Sequence, residues 1–443
     1  MSDTIYALAS GHGTAGVAVI RVSGPKANSV LSKISGEPTP KPRLASLRRL
    51  REIKTGYDID DAIVIWFPGP ASFTGEDIVE FHTHGGTAVI SGIFSAISSI
   101  ESCRMANPGE FTRRAFENRK LDLTSAEAVA DLVAAETTEQ RRQALAQYDG
   151  ALANIYDGWR TKLTEILANT EVMIDFSDEE IPDDLNSTNK HNILCIKKVI
   201  TQYIDDKNIG ERIRTGFRVA IIGEPNVGKS SLLNKIAGRE AAIVSKTKGT
   251  TRDIIEVHIQ LGGYSVIIAD TAGLRETQEE VESEGVRRAR KLAEDADMKL
   301  VMFDATHFPN IAEISKKYLD DDAIAVFNKV DIINQPVPFE LDFHKAFLIS
   351  ALTGEGLDPL LSTLQDKIQK RLKNAEIPPL TRARHRESLE AVLDALGRAE
   401  RAVLPELAAE DLRLAARALA RITGRVDVED VLDVIFMDFC IGK

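Results

Sequence analysis

The residues with the sharpest chemical implication are Gly223-Glu224-Pro225-Asn226-Val227-Gly228-Lys229-Ser230, which fit G-x-x-x-x-G-K-[ST]. Glycines at both ends let backbone N–H groups approach phosphate oxygens closely, and a following helix N-terminus adds positive potential. Lys229 is placed to reach the β- and γ-phosphates and Ser230 to ligate Mg²⁺. Three further groups follow in order. Asp270-Thr271-Ala272-Gly273 offers a carboxylate that holds Mg²⁺ through water and a Gly273 N–H that senses a γ-phosphate. Asn328-Lys329-Val330-Asp331 offers a carboxylate, Asp331, that accepts from both guanine N1–H and the 2-amino group; adenine lacks that donor pair. Ser350-Ala351 offers a backbone N–H to guanine O6. Between the first two groups, Gly249-Thr250-Thr251-Arg252-Asp253 reads as a switch, with Thr251 a second Mg²⁺ ligand contributed only when a γ-phosphate is present. Leu274 stands where a water-orienting glutamine would serve, so catalytic help must come from elsewhere.

These groups need strand ends to hold them, and the chain supplies apolar runs at the right places. Arg218 to Ile222 precedes the phosphate loop; Val257, Ile259 and Leu261 alternate, Gly262-Gly263 turns and Ser265 to Ala269 returns; further runs span 300–303, 323–327 and 346–349. Strands alternating with helical stretches predict a doubly wound α/β sheet over 215–372. Residues 1–119 mix short apolar runs with Gly and Pro and read as α+β. Residues 120–214 read as helical: Thr124 and Glu127 suggest a capping box, Val129, Leu132 and Val133 follow a helical stripe, and Asn186 to Asn192 reads as a loop. Past Pro378-Pro379, the segment 373–443 is helical again, with stripes at Leu389, Val392, Leu393, Leu396 and at Val428, Val431, Leu432, Ile435. The expectation is a helical domain in two pieces with the α/β domain inserted between them.

The chain has 443 residues, which at roughly 150 per domain suggests about three domains. Lys plus Arg is 55 and Asp plus Glu 67, a net charge of −12, which argues against a uniformly basic nucleic-acid coat. Cys103, Cys195 and Cys440 lie far apart without CxxC spacing, so neither a disulfide framework nor a zinc site is expected. With no apolar run near the ~18 residues of a membrane span and no secretory signal pattern, a cytoplasmic protein without membrane contact is expected.

With these motifs in view, the whole chain resembles the MnmE family of tRNA-modification GTPases, also called TrmE. The N-terminal stretches that carry the likeness are Gly11-His12-Gly13-Thr14-Ala15, Arg21-Val22-Ser23-Gly24, Phe73-Thr74-Gly75-Glu76-Asp77, His84-Gly85-Gly86 and Pro108-Gly109-Glu110-Phe111-Thr112; the tail is Phe439-Cys440-Ile441-Gly442-Lys443. The resemblance implies an N-terminal domain like those of folate-dependent one-carbon enzymes, which forms a homodimer and binds 5-formyltetrahydrofolate or methylenetetrahydrofolate. The matching positions are Arg21, Glu80, Lys120 and Lys443. It implies a Ras-like GTPase domain whose GTP contacts run through Asn226 to Ser231, through Ser245-Lys246-Thr247-Lys248-Gly249-Thr250-Thr251, and through Asp270 to Gly273. Contacts to the base then come from Asn328, Lys329 and Asp331, with Ser350-Ala351-Leu352. It implies K⁺-activated hydrolysis, with Asn226, Ser245, Thr247 and Thr250 as K⁺ ligands beside the Mg²⁺ ligands Ser230 and Thr251, and Glu282 as the catalytic glutamate that orients water. A K⁺ so placed resembles an arginine finger in charge and position. The implied product is a carboxymethylaminomethyl or aminomethyl group at carbon 5 of the tRNA wobble uridine. The implied partner is the FAD-containing flavoprotein MnmG, in a heterotetramer-type complex.

The residues themselves leave other readings open. Glu282 sits in an acidic run with Glu279, Glu280 and Glu284, which reads equally as a solvated face. Cys440 is a candidate nucleophile for carbon-5 chemistry, yet no histidine lies nearby in sequence to lower its pKa, and simple packing accounts for it as well. His82 and His84 have ligand spacing but no third ligand. Arg48, Arg49 and Arg51, Arg113 and Arg114 with Arg119 and Lys120, and Arg382, Arg384 and Arg386 form basic clusters that suit tRNA phosphates, although a solvated charged face is the commoner meaning. The rival functions are a ribosome-assembly GTPase related to Era or Der and a folate one-carbon transferase with an accessory GTPase. The first is disfavoured because the segment after 378 has no GXXG loop of a KH domain.

Overall fold

The structure is a computed structural model that describes residues 3–176, 185–206, 208–239, 255–270, 291–311, 313–333, 337, 340–341, 344–372, 378–426, 429–437, 439 and 441–442. Packing divides the chain into two compact units. One comprises Met1–Val133, Ala146–Ile200 and Glu387–Lys443, the other Ala134–Leu145 and Thr201–Arg386.

The first unit opens with β1 (Thr4–Leu8), β2 (Ala15–Ser23), α1 (Ala27–Ser35), β3 (Ser46–Arg51), β4 (Asp58–Phe67), β5 (Ile78–Gly85), α2 (Thr87–Ser98) and β6 (Cys103–Met105). The strands form one sheet in the order β3-β4-β5-β2-β1-β6, antiparallel except for the β1–β6 pair. Period-two alternation sorts the side chains. Ile20, Val22, Val64, Val79 and Phe81 are buried in a core with Leu31, Ile34, Ile93 and Ile97 of α1 and α2. The other set, Arg21, Phe67, Ile78 and Glu80, lines a cavity that is also walled by the 68–77 loop. Register sets Arg21 directly opposite Glu80 and Phe67 opposite Ile78.

Helices follow: α3 (Glu110–Glu117), α4 (Leu123–Ala134), α5 (Thr138–Tyr148), α6 (Ala151–Asp175) and α7 (Leu185–Ile204). The cap of α4 is Asp122, not Thr124: Asp122 Oδ1 accepts from the Ser125 N–H at 2.8 Å and from the Thr124 hydroxyl at 2.6 Å. The expected loop over Asn186 to Asn192 is instead the first part of α7. Its polar residues are used for packing: Asn189 is buried, donates to Thr170 Oγ1 of α6 at 3.4 Å and accepts from Asn169 at 3.2 Å. The first half of α5 packs in the second unit, where the Gln140 and Gln143 side chains donate to the carbonyls of Arg214 and Gly210.

The second unit continues with α8 (Ile209–Thr215), β7 (Phe217–Gly223), α9 (Lys229–Arg239), β8 (Ile255–Leu261), β9 (Tyr264–Asp270), β10 (Met298–Asp304), α10 (Glu313–Lys316), β11 (Ala323–Asn328), β12 (Glu340–Leu341), β13 (His344–Ile349) and α11 (Leu357–Leu372). Its sheet order is β12-β13-β11-β10-β7-β9-β8, with β7, β9, β10, β11 and β13 parallel and β8 joined to β9 as the expected hairpin. Both faces are covered. Leu232, Leu233, Ile236, Leu360 and Leu364 pack on one, and Val301, Phe303, Ala325 and Phe327 form a separate cluster. That double burial explains why these strands read as continuous apolar runs. The chain returns to opposite sides of β7, through β9 and then β10, so a topological switch point lies beside β7, where α/β sheets bind ligands.

The chain ends with α12 (Ala383–Arg401), α13 (Pro405–Thr423) and α14 (Glu429–Met437). In the first unit α13 packs along α6, with ion pairs Arg413–Glu171 and Arg425–Asp157. Leu432, Phe436 and Phe439 join Leu123 and Ala126 of α4 in one core. Among the described residues no helix is long and apolar enough to cross a membrane.

Candidate functional site

The sequence-selected residues of the second unit converge at the carboxyl ends of β7, β9, β11 and β13. Asn226 turns the loop after β7 with a left-handed φ of 62°, and Gly228 follows at 101°. Lys229 opens α9; its buried ammonium donates to the carbonyls of Gly223 and Glu224, at 2.8 Å each. Burial depresses the Lys229 pKa, against the opposing pull of Asp270 and Glu224. An ammonium withdrawn from water onto two neutral carbonyls fits a group that exchanges those partners for phosphate oxygens. Ser230 Oγ donates to Asp270 Oδ2 at 2.5 Å, so the two oxygens expected at Mg²⁺ already touch. Val227 is buried, while Ser231 is exposed on α9.

Asn328 ends β11 and is 3% exposed. Its Nδ2 donates to the Val227 carbonyl at 2.7 Å, and its Oδ1 accepts from the Ala351 N–H at 2.8 Å. One side chain thus ties the phosphate loop to the loop after β13. Lys329, with φ 70°, pairs its ammonium with Asp304 Oδ2 at 2.5 Å at the end of β10. Burial pushes the Asp304 carboxyl up, but hydrogen bonds from Lys329 and Thr306 outweigh it and hold the carboxyl below its ordinary range. Asp304 is the site residue that sequence reasoning missed; the signal for it is the position at the end of β10, next to β11 in register with Asn328. Asp331 is exposed in a single turn of 3-10 helix, open to a base. Ser350 is buried, and Leu352 is exposed beside it.

The remaining nucleotide residues, Ser245, Lys246, Thr247, Lys248, Gly249, Thr250, Thr251, Thr271, Ala272, Gly273 and Glu282, lie outside the described residues, as do Cys440 and Lys443.

In the first unit, Arg21, Glu80 and Lys120 line one cavity of about 400 Å³ with Arg43, Phe67 and Phe73. Arg21 Nε donates to Glu80 Oε1 at 3.0 Å, and its guanidinium lies 5.6 Å from the Phe73 ring centre and 5.8 Å from that of Phe111. His82 Nε2, buried and without a hydrogen bond, faces Glu80 Oε2 at 3.4 Å. His84 instead pairs with Asp60 at 2.7 Å. The tail reaches the same unit: a Cβ on Gly109 would come within 3.0 Å of the Phe439 Cβ, and Gly442, at φ 101°, packs on the Leu8 carbonyl at the end of β1.

The basic clusters are largely committed within the protein. Arg48 pairs with Glu37, Arg49 with Asp58 and Asp61, Arg51 with Asp58, and Arg113 with Glu117 and Asp433. Arg114 is buried against Glu76 and Glu110, and Arg386 pairs with Asp206.

A parallel sheet with a G-x-x-x-x-G-K-S turn at its switch point, a Ser230–Asp270 pair and an Asn328 brace beside Asp331 defines a P-loop protein of the GTPase class. A sequence family described as MnmE helical domain matches residues 123–440, and one described as GTP-binding protein TrmE N-terminus matches 4–120. Proteins named tRNA modification GTPase MnmE are similar over their whole lengths. That of Paramagnetospirillum magneticum is 50% identical over 443 residues, 100% of both chains, and that of Parvibaculum lavamentivorans is 51% identical over 447 residues, again 100% of both. That of Rhodospirillum rubrum is 47% identical, covering 100% of this chain and 99% of its own. The chain belongs to the tRNA modification GTPase MnmE family. Among solved structures, the G domain of the T. maritima FeoB iron transporter aligns with 35% of this chain and 98% of its own at 23% identity and a TM-score of 0.26.

Proposed function

We propose that this chain is a K⁺-activated GTPase that works with the flavoprotein MnmG on tRNA. Together they install a carboxymethylaminomethyl or aminomethyl group at carbon 5 of the wobble uridine, with carbon from a tetrahydrofolate. The observation that carries the nucleotide half is the Asn328 brace, which couples the phosphate loop to the Ala351 loop beside Asp331. Lys229 and the loop N–H groups hold the phosphates, and Asp331 accepts from the guanine N1–H and 2-amino group. Ser230 and Thr251, the latter outside the described residues, would ligate Mg²⁺, with Asp270 holding it through water; when bound, the ion would supply positive charge against the phosphates. For K⁺, Asn226 is exposed in the phosphate loop; its expected companions Ser245, Thr247 and Thr250 lie outside the described residues, as does Glu282, the group proposed to orient the attacking water.

The folate half rests on the first-unit cavity. Its volume of about 400 Å³ suits a drug-sized ligand. Glu80 Oε2, which accepts no hydrogen bond from its His82 neighbour, suits an amino-pyrimidine edge. Homodimerisation through the N-terminal domain, the inserted GTPase domain at 215–372 and a role for Cys440 and Lys443 at the folate belong to the same reading.

Two measurements test it. Analysis of wobble nucleosides in tRNA from cells lacking this gene is expected to show unmodified carbon 5, restored by the wild-type gene and not by Lys229→Ala. Normal nucleosides alongside accumulated ribosomal RNA precursors would favour the ribosome-assembly alternative. GTP turnover is expected to be much faster in KCl than in NaCl, with Asn226→Ala erasing the difference; equal rates for wild type in both salts remove the K⁺ mechanism.

A further inference from the structure

The cavity over the N-terminal sheet is graded in charge. At its floor, Arg21 and Glu80 are 21% and 16% exposed and neutralise each other, with Nη2 to Oε1 at 2.9 Å. At its mouth, Arg43 and Lys120 are exposed, and among the described residues neither pairs with a carboxylate. The floor therefore suits an uncharged polar ring, and the mouth carries two positive charges.

Arg43 is held there at some backbone cost. It has a left-handed φ of 61°, unusual for a long side chain, and its N–H donates to the Trp66 carbonyl at 2.8 Å. Its guanidinium lies 5.5 Å from the centre of the Phe67 ring and donates to the Ala71 carbonyl. Stacking and one hydrogen bond fix the plane of the group while leaving most of its five donors to a ligand. A planar guanidinium so oriented is matched to a carboxylate, which it grips through two parallel bonds; a lysine beside it supplies a second point charge.

We infer that Arg43 and Lys120 form the subsite for a pair of carboxylates at the ligand's outer end, the dicarboxylate of a glutamyl group, and that Arg43 determines specificity for that end. The inference rests on the folate reading of the cavity. It adds that the ring end is recognised by the neutral Arg21–Glu80 floor and the charged tail by the mouth, so that tail recognition is separable from ring recognition.

Titration of the full-length protein with 5-formyltetrahydrofolate and with the primary amide of 5-formyltetrahydropteroate, which has the same ring system and aminobenzoyl amide but neither glutamate carboxylate nor a free benzoate, tests this. Wild type is expected to bind the glutamyl ligand at least about tenfold tighter, the size of a charge-assisted hydrogen bond. Arg43→Ala keeps the same backbone demand and is expected to lose about tenfold on the glutamyl ligand and nothing on the pteroate amide. Arg43→Lys should recover part of the loss, and Lys120→Ala should show the same selective loss should Arg43→Ala fold poorly. Equal weakening of both ligands by Arg43→Ala and Lys120→Ala, or a wild type indifferent to the glutamate, overturns the subsite and leaves the folate reading standing. A wild type that binds neither ligand overturns the folate reading itself.

Discussion

A single residue, Asn328, shows how function is divided at the nucleotide site. One N–H of its amide and its carbonyl are committed within the protein, to Val227 and Ala351, so part of its effect on the nucleotide is exerted through the frame. Asn328→Ala leaves a buried carbonyl and a buried N–H without partners, at about 1–3 kcal/mol each. We expect a urea midpoint lowered accordingly, together with at least about tenfold weaker GDP binding; a variant that binds GDP normally would show that the brace is dispensable. In the first unit, Glu110 receives Arg104 at 2.6 Å, Arg114 at 3.0 Å and the Asn107 N–H at 2.8 Å. Burial pushes its carboxyl up, but these donors outweigh burial and hold it below the ordinary glutamate range. A depressed folded-state pKa gives stability that is present above the unfolded value and lost as pH falls through the folded one. Glu110→Gln should therefore be less stable than wild type at pH 7, and the gap should close as pH falls below about 4. A gap independent of pH would contradict the ion-pair account.

At the scale of elements, legibility followed solvent exposure and period. The β8–β9 hairpin was readable because Gly262-Gly263 separates two alternating runs, and the parallel strands because double burial makes them uniformly apolar. The start of α7 was not, because Asn189 looks like a loop residue until α6 supplies Thr170 and Asn169 as its partners. The α4 cap was misplaced because Asp122 and Thr124 are both good capping types and only packing chooses between them. The family resemblance points to Arg21, Glu80 and Lys120 but not to Arg43, whose place at the cavity depends on a left-handed turn before β3 that no motif marks. The turn between β13 and α11 is under similar control. Gly356 has φ 74°, and a Cβ there would strike the Leu348 carbonyl, while Ser350 N–H bonds Glu355 at 3.0 Å to hold the Ala351 loop. Gly356→Ala is expected to cost at least ~1 kcal/mol and to weaken guanine nucleotide binding, read by denaturant titration and GDP affinity. Unchanged stability would mean the turn can relax.

For the whole molecule, the two units carry the two proposed ligands, the guanine nucleotide in one and the folate in the other. The C-terminal tail belongs to the folate unit, because Gly442 packs against Leu8 and Phe439 against Gly109. Gly442→Val forces the tail from Leu8. Under the proposed function it should weaken folate binding and leave GDP affinity as in wild type; unaltered folate binding would separate the tail from that site. The tail at 439–443 resembles the family's C-terminal signature in sequence, but the reason for its Gly442 is the close backbone approach to Leu8, which sequence does not reveal.

The central claim is that guanine is chosen by the carboxylate of Asp331 on a frame braced by Asn328. The most direct measurement is the affinity of wild type and Asp331→Asn for GDP and for XDP, whose base replaces the 2-amino donor with a carbonyl acceptor. The account predicts that wild type strongly prefers GDP and that the variant, with an amide donor where the carboxylate was, reverses the preference toward XDP. An Asp331→Asn protein that keeps the wild-type preference would contradict it.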